Sequence, residues 1–282
     1  MNNSKIWGHV DGIVLINLDQ RKDRLSHALG QLNAFVPSEK VNRVSAVDGK
    51  TIKGFGKKPW FRNRKKDHKW AGRAGCTLSH RKALDLAISR KWKTTLILED
   101  DFVCLSQDLY LWDSIADAIF NNNKEWELMY LGFTTPSGPT RKIADVDRYR
   151  TINQIQGAKT THAYLVKSDF AKWILSKLPM EKNVWHWCSQ KRVIDRWYSR
   201  NLSKKSNIYC VSPSLLVQSN NDSDIAGPKK EFNVNNDFIW EIPNYMQCQS
   251  FYLLRKFSFI TKSWLTEMLE SISGYFKRFI GF

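Results

Sequence analysis

No run of eighteen apolar residues occurs anywhere in this 282-residue chain, so a membrane-crossing helix is not expected. The opening MNNSKIWGHVDG lacks the apolar stretch of a secretory signal, which leads to the expectation of a cytoplasmic protein. Cysteine is scarce. Its five positions, Cys76, Cys104, Cys188, Cys210 and Cys248, are odd in number and include no C-x-x-C pair. With no His/Cys cluster beside them, this argues against a structural zinc site and for free thiols. Acidic residues are also few, 27 against 44 Lys and Arg. The resulting formal charge of +17 attracts anions: nucleic acid, anionic lipid or phosphorylated small molecules. Repeats and low-complexity segments are absent.

What remains is a globular composition, 42% hydrophobic and 25% charged, long enough for one large α/β domain or two small ones. Twelve Trp and fifteen Phe are many for this length, and serve cores, sugar stacking or membrane interfaces. The run 13–18 (IVLINL) reads as a buried strand, followed by a polar turn and a helix over 21–34. A second strand over 41–47 meets the turn Asp48-Gly49. Residues 53–69, rich in Lys and Arg with Gly54, Gly56 and Pro59, read as an exposed loop. Helical spacing of Ala74, Leu78, Ala83, Leu84, Ala87 and Ile88 then predicts a helix over 72–91, followed by the strand TTLILEDD. Further strands are expected over 127–133, 163–166, 207–211 and 215–218, and helices over 168–177 and 190–199. This alternation predicts an open, largely parallel sheet with helices on both faces.

Ligands of such sheets bind at the carboxyl ends of the strands. Glu99, Asp100 and Asp101 stand at one such end, where three like charges repel unless something relieves them. A divalent cation, Mg²⁺ or Mn²⁺, held against a diphosphate would do so; an acidic helix cap is the alternative. Asn17, Asp19, Arg21 and Arg24 follow the first strand, where a nucleotide would lie, although both arginines also read as exposed helix charge. Gly72, Gly75, Ser79 and His80 open the expected helix, where a phosphate could bind or the glycines could simply permit close packing.

Taken in order, INLDQRKDR, AVDG, GRAGCTLSHRKAL, LILEDD, TTHAYLVKSDFAKWIL, VIDRW and YCVSPSLLVQSNNDSDI resemble glycosyltransferase family 25 over residues 11–225. That family includes lipooligosaccharide galactosyltransferases and collagen galactosyltransferases. The resemblance implies a GT-A-like, Rossmann-like fold and transfer with inversion of a hexose, galactose from UDP-galactose, to a glycan or lipooligosaccharide acceptor. It implies Asp101 as metal ligand, with Glu99 or Asp100 near the ribose. Asn17, Asp19, Arg21, Arg24, Asp48, Ser79, His80 and Gln218 join them as donor-binding residues. Asp195 is the candidate general base, with a helix-surface salt bridge to Lys191, Arg192 or Arg196 as the alternative; Asp224 is the second candidate. The collagen branch is disfavoured by the missing signal.

Residues 53–93 carry fourteen Lys and Arg against Asp67 and Asp85. With Trp60, Phe61 and Trp70 nearby, this could read as a nucleic-acid patch, but no nucleic-acid motif accompanies it, and no nucleic-acid partner is expected. A third reading is an inactive glycan-binding relative, against which the retained acids count. From residue 251 the chain forms a tail separate from a catalytic domain over 1–250. Leu253, Leu254, Phe257, Ile260, Trp264, Leu265, Met268, Leu269, Ile272, Phe276, Phe279 and Ile280 recur there at helical spacing, with Arg255, Lys256, Lys262, Lys277 and Arg278 among them. That pattern predicts an amphipathic helix serving as a peripheral anchor on an anionic membrane, or else a helix packed on the catalytic domain or a second subunit.

Overall fold

The computed structural model describes residues 4–57, 66–121, 125–219 and 249–279, with side chains of the last segment described over 252–273. A short helix α1 (Ile6–His9) precedes β1 (Gly12–Asn17), α2 (Lys22–Asn33) and β2 (Val41–Ser45). Helix α3 (His68–Ser89) leads into β3 (Thr94–Glu99), β4 (Phe102–Cys104) and α4 (Leu109–Ala116). Next come β5 (Leu128–Gly132), β6 (Thr135–Pro136), β7 (Arg141–Asp145), β8 (Thr151–Ile155), β9 (Ala158–Lys159) and β10 (Ala163–Lys167). The chain continues through α5 (Ser168–Lys177), α6 (Val184–Lys191), α7 (Ile194–Asn201), β11 (Ile208–Ser212) and β12 (Leu216–Gln218), and ends in α8 (Gln249–Phe279).

Eight strands form the main sheet in the order β2-β1-β3-β10-β5-β11-β8-β7. Six of them share one direction, while β10 and β8 run against it. Alternating side chains feed two cores, as the period of two along a strand requires. Val14, Ile16, Ile97, Tyr164 and Tyr130 face α3, α5, α6 and α7. Ile13, Leu15, Leu96, Leu98 and Leu165 face α1, α2 and α4. The open sheet with helices on both faces is therefore the architecture expected from the alternation.

The register matters for the site. Ile16 stands opposite Glu99 in the parallel β1–β3 pair, so both strands end at the same level and deliver Asn17 and Asp100 side by side. Helix α3 differs from its expected bounds. It begins at His68, capped by the Asp67 carboxylate accepting the Trp70 N–H at 3.0 Å. A cap inside a basic stretch outweighs the loop-like composition around it. Gly72, Gly75, Ser79 and His80 consequently lie within the helix, away from its first turn, and the anion-attracting amides of a helix start are not at their disposal. Gly75 and Gly49 serve close packing instead. A Cβ on Gly75 would sit 2.3 Å from the Val47 carbonyl oxygen, and one on Gly49 would sit 1.7 Å from that of Ala71.

Helix α8 rests on α6 and α7 through its polar side. Glu267 meets Lys191 and Lys204, each at 3.1 Å, and accepts from Asn201 at 2.9 Å. Glu270 meets Arg196 at 2.5 Å and Arg200 at 3.0 Å. Near the helix start, Gln156 donates to the Tyr252 hydroxyl at 2.8 Å and Arg141 stacks over its ring. Leu254, Phe257, Trp264 and Leu269 point away, 69%, 72%, 56% and 61% exposed. The helix thus packs on the domain, one of the two expectations for the tail, while its apolar stripe stays outside. No helix among the described residues is long and apolar enough to cross a membrane. The described cysteines, Cys76, Cys104, Cys188 and Cys210, are free thiols.

Candidate active site

A cleft of about 980 Å³, open mouth included, lies at the carboxyl ends of β1 and β3. The acids of LILEDD form its floor, with α3 and the 46–50 loop as one wall. Of the residues singled out from the sequence, Arg24, Asp48, Ser79, His80, Glu99, Asp100, Asp101 and Gln218 line it.

The three consecutive acids have three different environments. Glu99 accepts from His80 Nε2 at 3.0 Å and from the Thr161 hydroxyl at 2.9 Å. Nδ1 of His80 lies 3.1 Å from the Tyr164 hydroxyl, and Tyr164 in turn meets Tyr198 at 3.3 Å. Burial alone would raise the Glu99 pKa, but the His80 hydrogen bond, the charges of His80 and His162, and Thr161 outweigh it and hold it below the ordinary carboxylate value. Glu99 is therefore a fixed anion. Asp100 turns inward, bonded to the Asn17 amide at 2.7 Å and paired with Arg24 at 3.4 Å. Burial raises its pKa more than Asn17 and Arg24 lower it. Asp101 is half-buried on the cleft floor, accepting from Gln218 Nε2 at 3.3 Å. The β4–β12 pairing, which sets Gln218 opposite Phe102, brings that partner in.

Asn17, Asp19 and Arg21 do not line the cleft. Asn17 is a buried strut whose amide binds Asp100 and the Arg21 carbonyl and accepts from Arg43 at 3.0 Å. Asp19 is tied to Arg43 and to Ser45 at 2.8 Å, which lowers its pKa. Arg21, just before α2, pairs with Asp23 at 3.0 Å. Asp48 accepts the Lys50 N–H at 2.9 Å and so shapes the loop. Ser79 accepts the Val47 N–H at 2.8 Å and donates to the Gly75 carbonyl, holding that loop against α3.

Asp195, at the start of α7, also stands away from the cleft lining. Its carboxylate accepts the Arg196 N–H at 2.6 Å and the Thr160 N–H at 3.4 Å, and burial raises its pKa beyond what these bonds offset. The salt bridges open to it from sequence are not formed by Lys191 or Arg196, which pair with α8. Thr160 has a left-handed φ of 66°, strained for a β-branched residue, and the Asp195 bond holds that turn. The next residue, Thr161, bonds Glu99, so a continuous run of contacts links Asp195 to Glu99. Asp224 lies outside the described residues, as does most of the basic stretch before α3.

Asp101 lines the cleft with a carboxylate, the ligand type that Mg²⁺ and Mn²⁺ favour. A second group, Cys76, His80 and Glu99, has its ligand atoms within 4.8 Å of one another. It suits Mg²⁺ or Mn²⁺ poorly, because burial pushes the Cys76 thiol well up and His80 and Glu99 are bonded to each other. Cys76, Thr161, Tyr164, Tyr198 and Arg43 were missed from sequence. Thr161 and Tyr164 fall in TTHAYLV, and an Arg interrupting the strand VNRVS was a signal for a charged partner.

A cleft with acids at strand ends is shared by many enzymes; comparison decides among them. The model of glycosyltransferase family 25, described as an LPS biosynthesis protein, matches residues 10–183. The chain belongs to glycosyltransferase family 25. This chain is 30% identical over 173 residues to procollagen galactosyltransferase 2 of Homo sapiens, and 29% identical over the same length to that of Mus musculus. Each alignment covers 58% of this chain and 25% of the relative, so the chain spans about a quarter of the length of the curated relatives it matches. Among solved structures, A197 from STIV is similar at TM-score 0.38 and 14% identity, covering 72% of this chain and 81% of that one. A glycosyltransferase involved in glycosylation of the major capsid of PBCV-1 is similar at TM-score 0.33 and 10% identity, covering 76% and 94%. Both scores are too low to carry fold or function. The family match ends at residue 183, before Asp195 and Gln218.

Proposed function

We propose that this glycosyltransferase has a GT-A-like fold and moves galactose from UDP-galactose, with inversion, to a hydroxyl of a cell-surface glycan or lipooligosaccharide. The cleft supports this most directly. Its strand-end acids and the nearby Arg24 and Lys50 offer a diphosphate both an acidic metal-holding floor and cationic neighbours. Asp101 is the residue that would hold a Mn²⁺ or Mg²⁺ ion, and such an ion would supply positive charge to a departing nucleoside diphosphate. Glu99, kept anionic by His80 and Thr161, orients the donor from the β3 end. Asp100 fixes the relative position of β1 and α2 through Asn17 and Arg24. Asp195 is assigned a positioning role on geometric grounds, which leaves Asp224 as the remaining candidate base. Galactose is favoured by the names of the two relatives, and the acceptor class by the description of the family.

A panel of UDP-sugars, tested with and without Mn²⁺, checks this reading. UDP-galactose should be hydrolysed and should raise the melting temperature, by about 2.7 kcal/mol of stabilisation at a hundred times its Kd. A preference for another sugar would overturn the galactose assignment. No response to any UDP-sugar would overturn the donor class. An α-linked product would overturn inversion.

A further inference from the structure

Helix α8 is amphipathic in the reverse sense to a helix covering a core: its polar side is docked and its apolar side faces out. At 100° per residue, Tyr252, Ser263, Glu267 and Glu270 fall on one side, against α6 and α7. Leu254, Phe257, Trp264, Met268 and Ile272 fall on the opposite side, each at least 39% exposed. The stripe from Leu254 to Ile272 is straight and about 27 Å long at 1.5 Å per residue. Exposed Arg255 and Lys262 run along one edge of it.

We propose that this stripe lies along an anionic lipid surface, with α8 parallel to the bilayer plane. Charge selects this occupant. The chain carries a formal +17, so a second copy would bring like charges together at the stripe, whereas an anionic headgroup layer attracts them. The mixture of Trp, Phe, Leu and Met beside cations matches what the headgroup–acyl boundary accepts. Five charge-assisted contacts from Glu267 and Glu270 hold the helix to the domain, so the stripe stays presented without the apolar side needing to fold back. The inference stands apart from the donor chemistry and is read without activity.

Flotation of the full chain with vesicles of phosphatidylcholine and one-quarter phosphatidylglycerol tests it. The wild type should float, and vesicles of phosphatidylcholine alone should carry less. Combining Phe257→Ser, Trp264→Ser and Met268→Ser should lower partitioning on the order of a hundredfold while leaving the melting temperature and soluble-donor hydrolysis unchanged. Arg255→Glu with Lys262→Glu should lower it roughly tenfold on anionic vesicles only. A wild type that stays at the bottom of the gradient, or a triple variant that floats equally well, overturns the proposal. So does a lipid-free wild-type dimer that the triple variant converts to monomer, since a second copy then covers the stripe.

Discussion

Gly75 offers the most direct test of how the cleft wall is built. In the middle of an ordinary helix, Gly→Ala stabilises by up to about 1 kcal/mol, because alanine loses less backbone freedom. At Gly75 the added Cβ meets the Val47 carbonyl oxygen at 2.3 Å and the Gly49 nitrogen at 2.9 Å, both backbone atoms that no rotamer change can move. Overpacking of this kind costs about 1–3 kcal/mol, and the displaced loop also breaks the 2.8 Å bond from the Val47 N–H to Ser79, worth about 1 kcal/mol. Gly75→Ala should therefore destabilise by about 1–3 kcal/mol net, a melting-temperature loss of several degrees. It should also weaken UDP-sugar binding, since Val47, Asp48 and Gly49 all line the cleft. Gly30→Ala is the control. Gly30 is exposed on α2 with nothing within 4 Å of the added Cβ, and the change should stabilise by up to about 1 kcal/mol. Differential scanning calorimetry and isothermal titration read both effects. A Gly75→Ala protein at least as stable as wild type, with donor affinity intact, would refute the close-approach account.

Asp101→Asn should leave the melting temperature within about 1 kcal/mol of wild type yet reduce transfer on the order of a thousandfold; full activity of the variant in excess EDTA would remove the metal role. Asp195→Ala leaves the Thr160 and Arg196 N–H groups without their acceptor and should cost about 1–3 kcal/mol in a thermal melt. It should also lower donor hydrolysis, and Asp195→Asn, which keeps an acceptor oxygen, should restore much of both. Unaffected stability would show that the turn stands unaided. The pKa of Glu267 is below its unfolded value, because hydrogen bonds and charges from Asn201, Lys191 and Lys204 outweigh burial. Its contribution is thus complete above the ordinary glutamate pKa and lost as pH falls through the depressed one. Denaturant titrations between about pH 6 and pH 3 should show wild type losing more stability than Glu267→Gln; parallel curves would mean the contacts contribute nothing.

Where apolar runs carry the signal, sequence and structure agree closely: IVLINL, TTLILE and AYLV lie in the strands that hold the sheet's middle. The β7–β8 hairpin escaped notice because RKIAD and TINQI mix polar and apolar residues without a continuous apolar run. The expected helix over 190–199 is two helices, broken at Arg192, whose left-handed φ of 73° no neighbouring turn residue announces. In the site, the acids after β3 were legible because their placement follows from strand ends alone. Their division into a fixed anion, an inward strut and a cleft-facing carboxylate was not, because His80, Thr161, Asn17, Arg24 and Gln218 come from five separate segments. The burial of Asp195 was hidden for the same reason: its partner Thr160 is 35 residues away in sequence.

Helix α7 carries two adjacent residues with opposite allegiances. Arg196 holds the C-terminal helix through Glu270, and Asp195 holds the turn whose next residue bonds Glu99. A force applied along the tail is therefore borne by the same helical turn that sets the acid at the cleft floor. Tail and catalytic floor share one mechanical foundation, and a substitution that loosens Arg196 should register at Glu99 although the two side chains never touch.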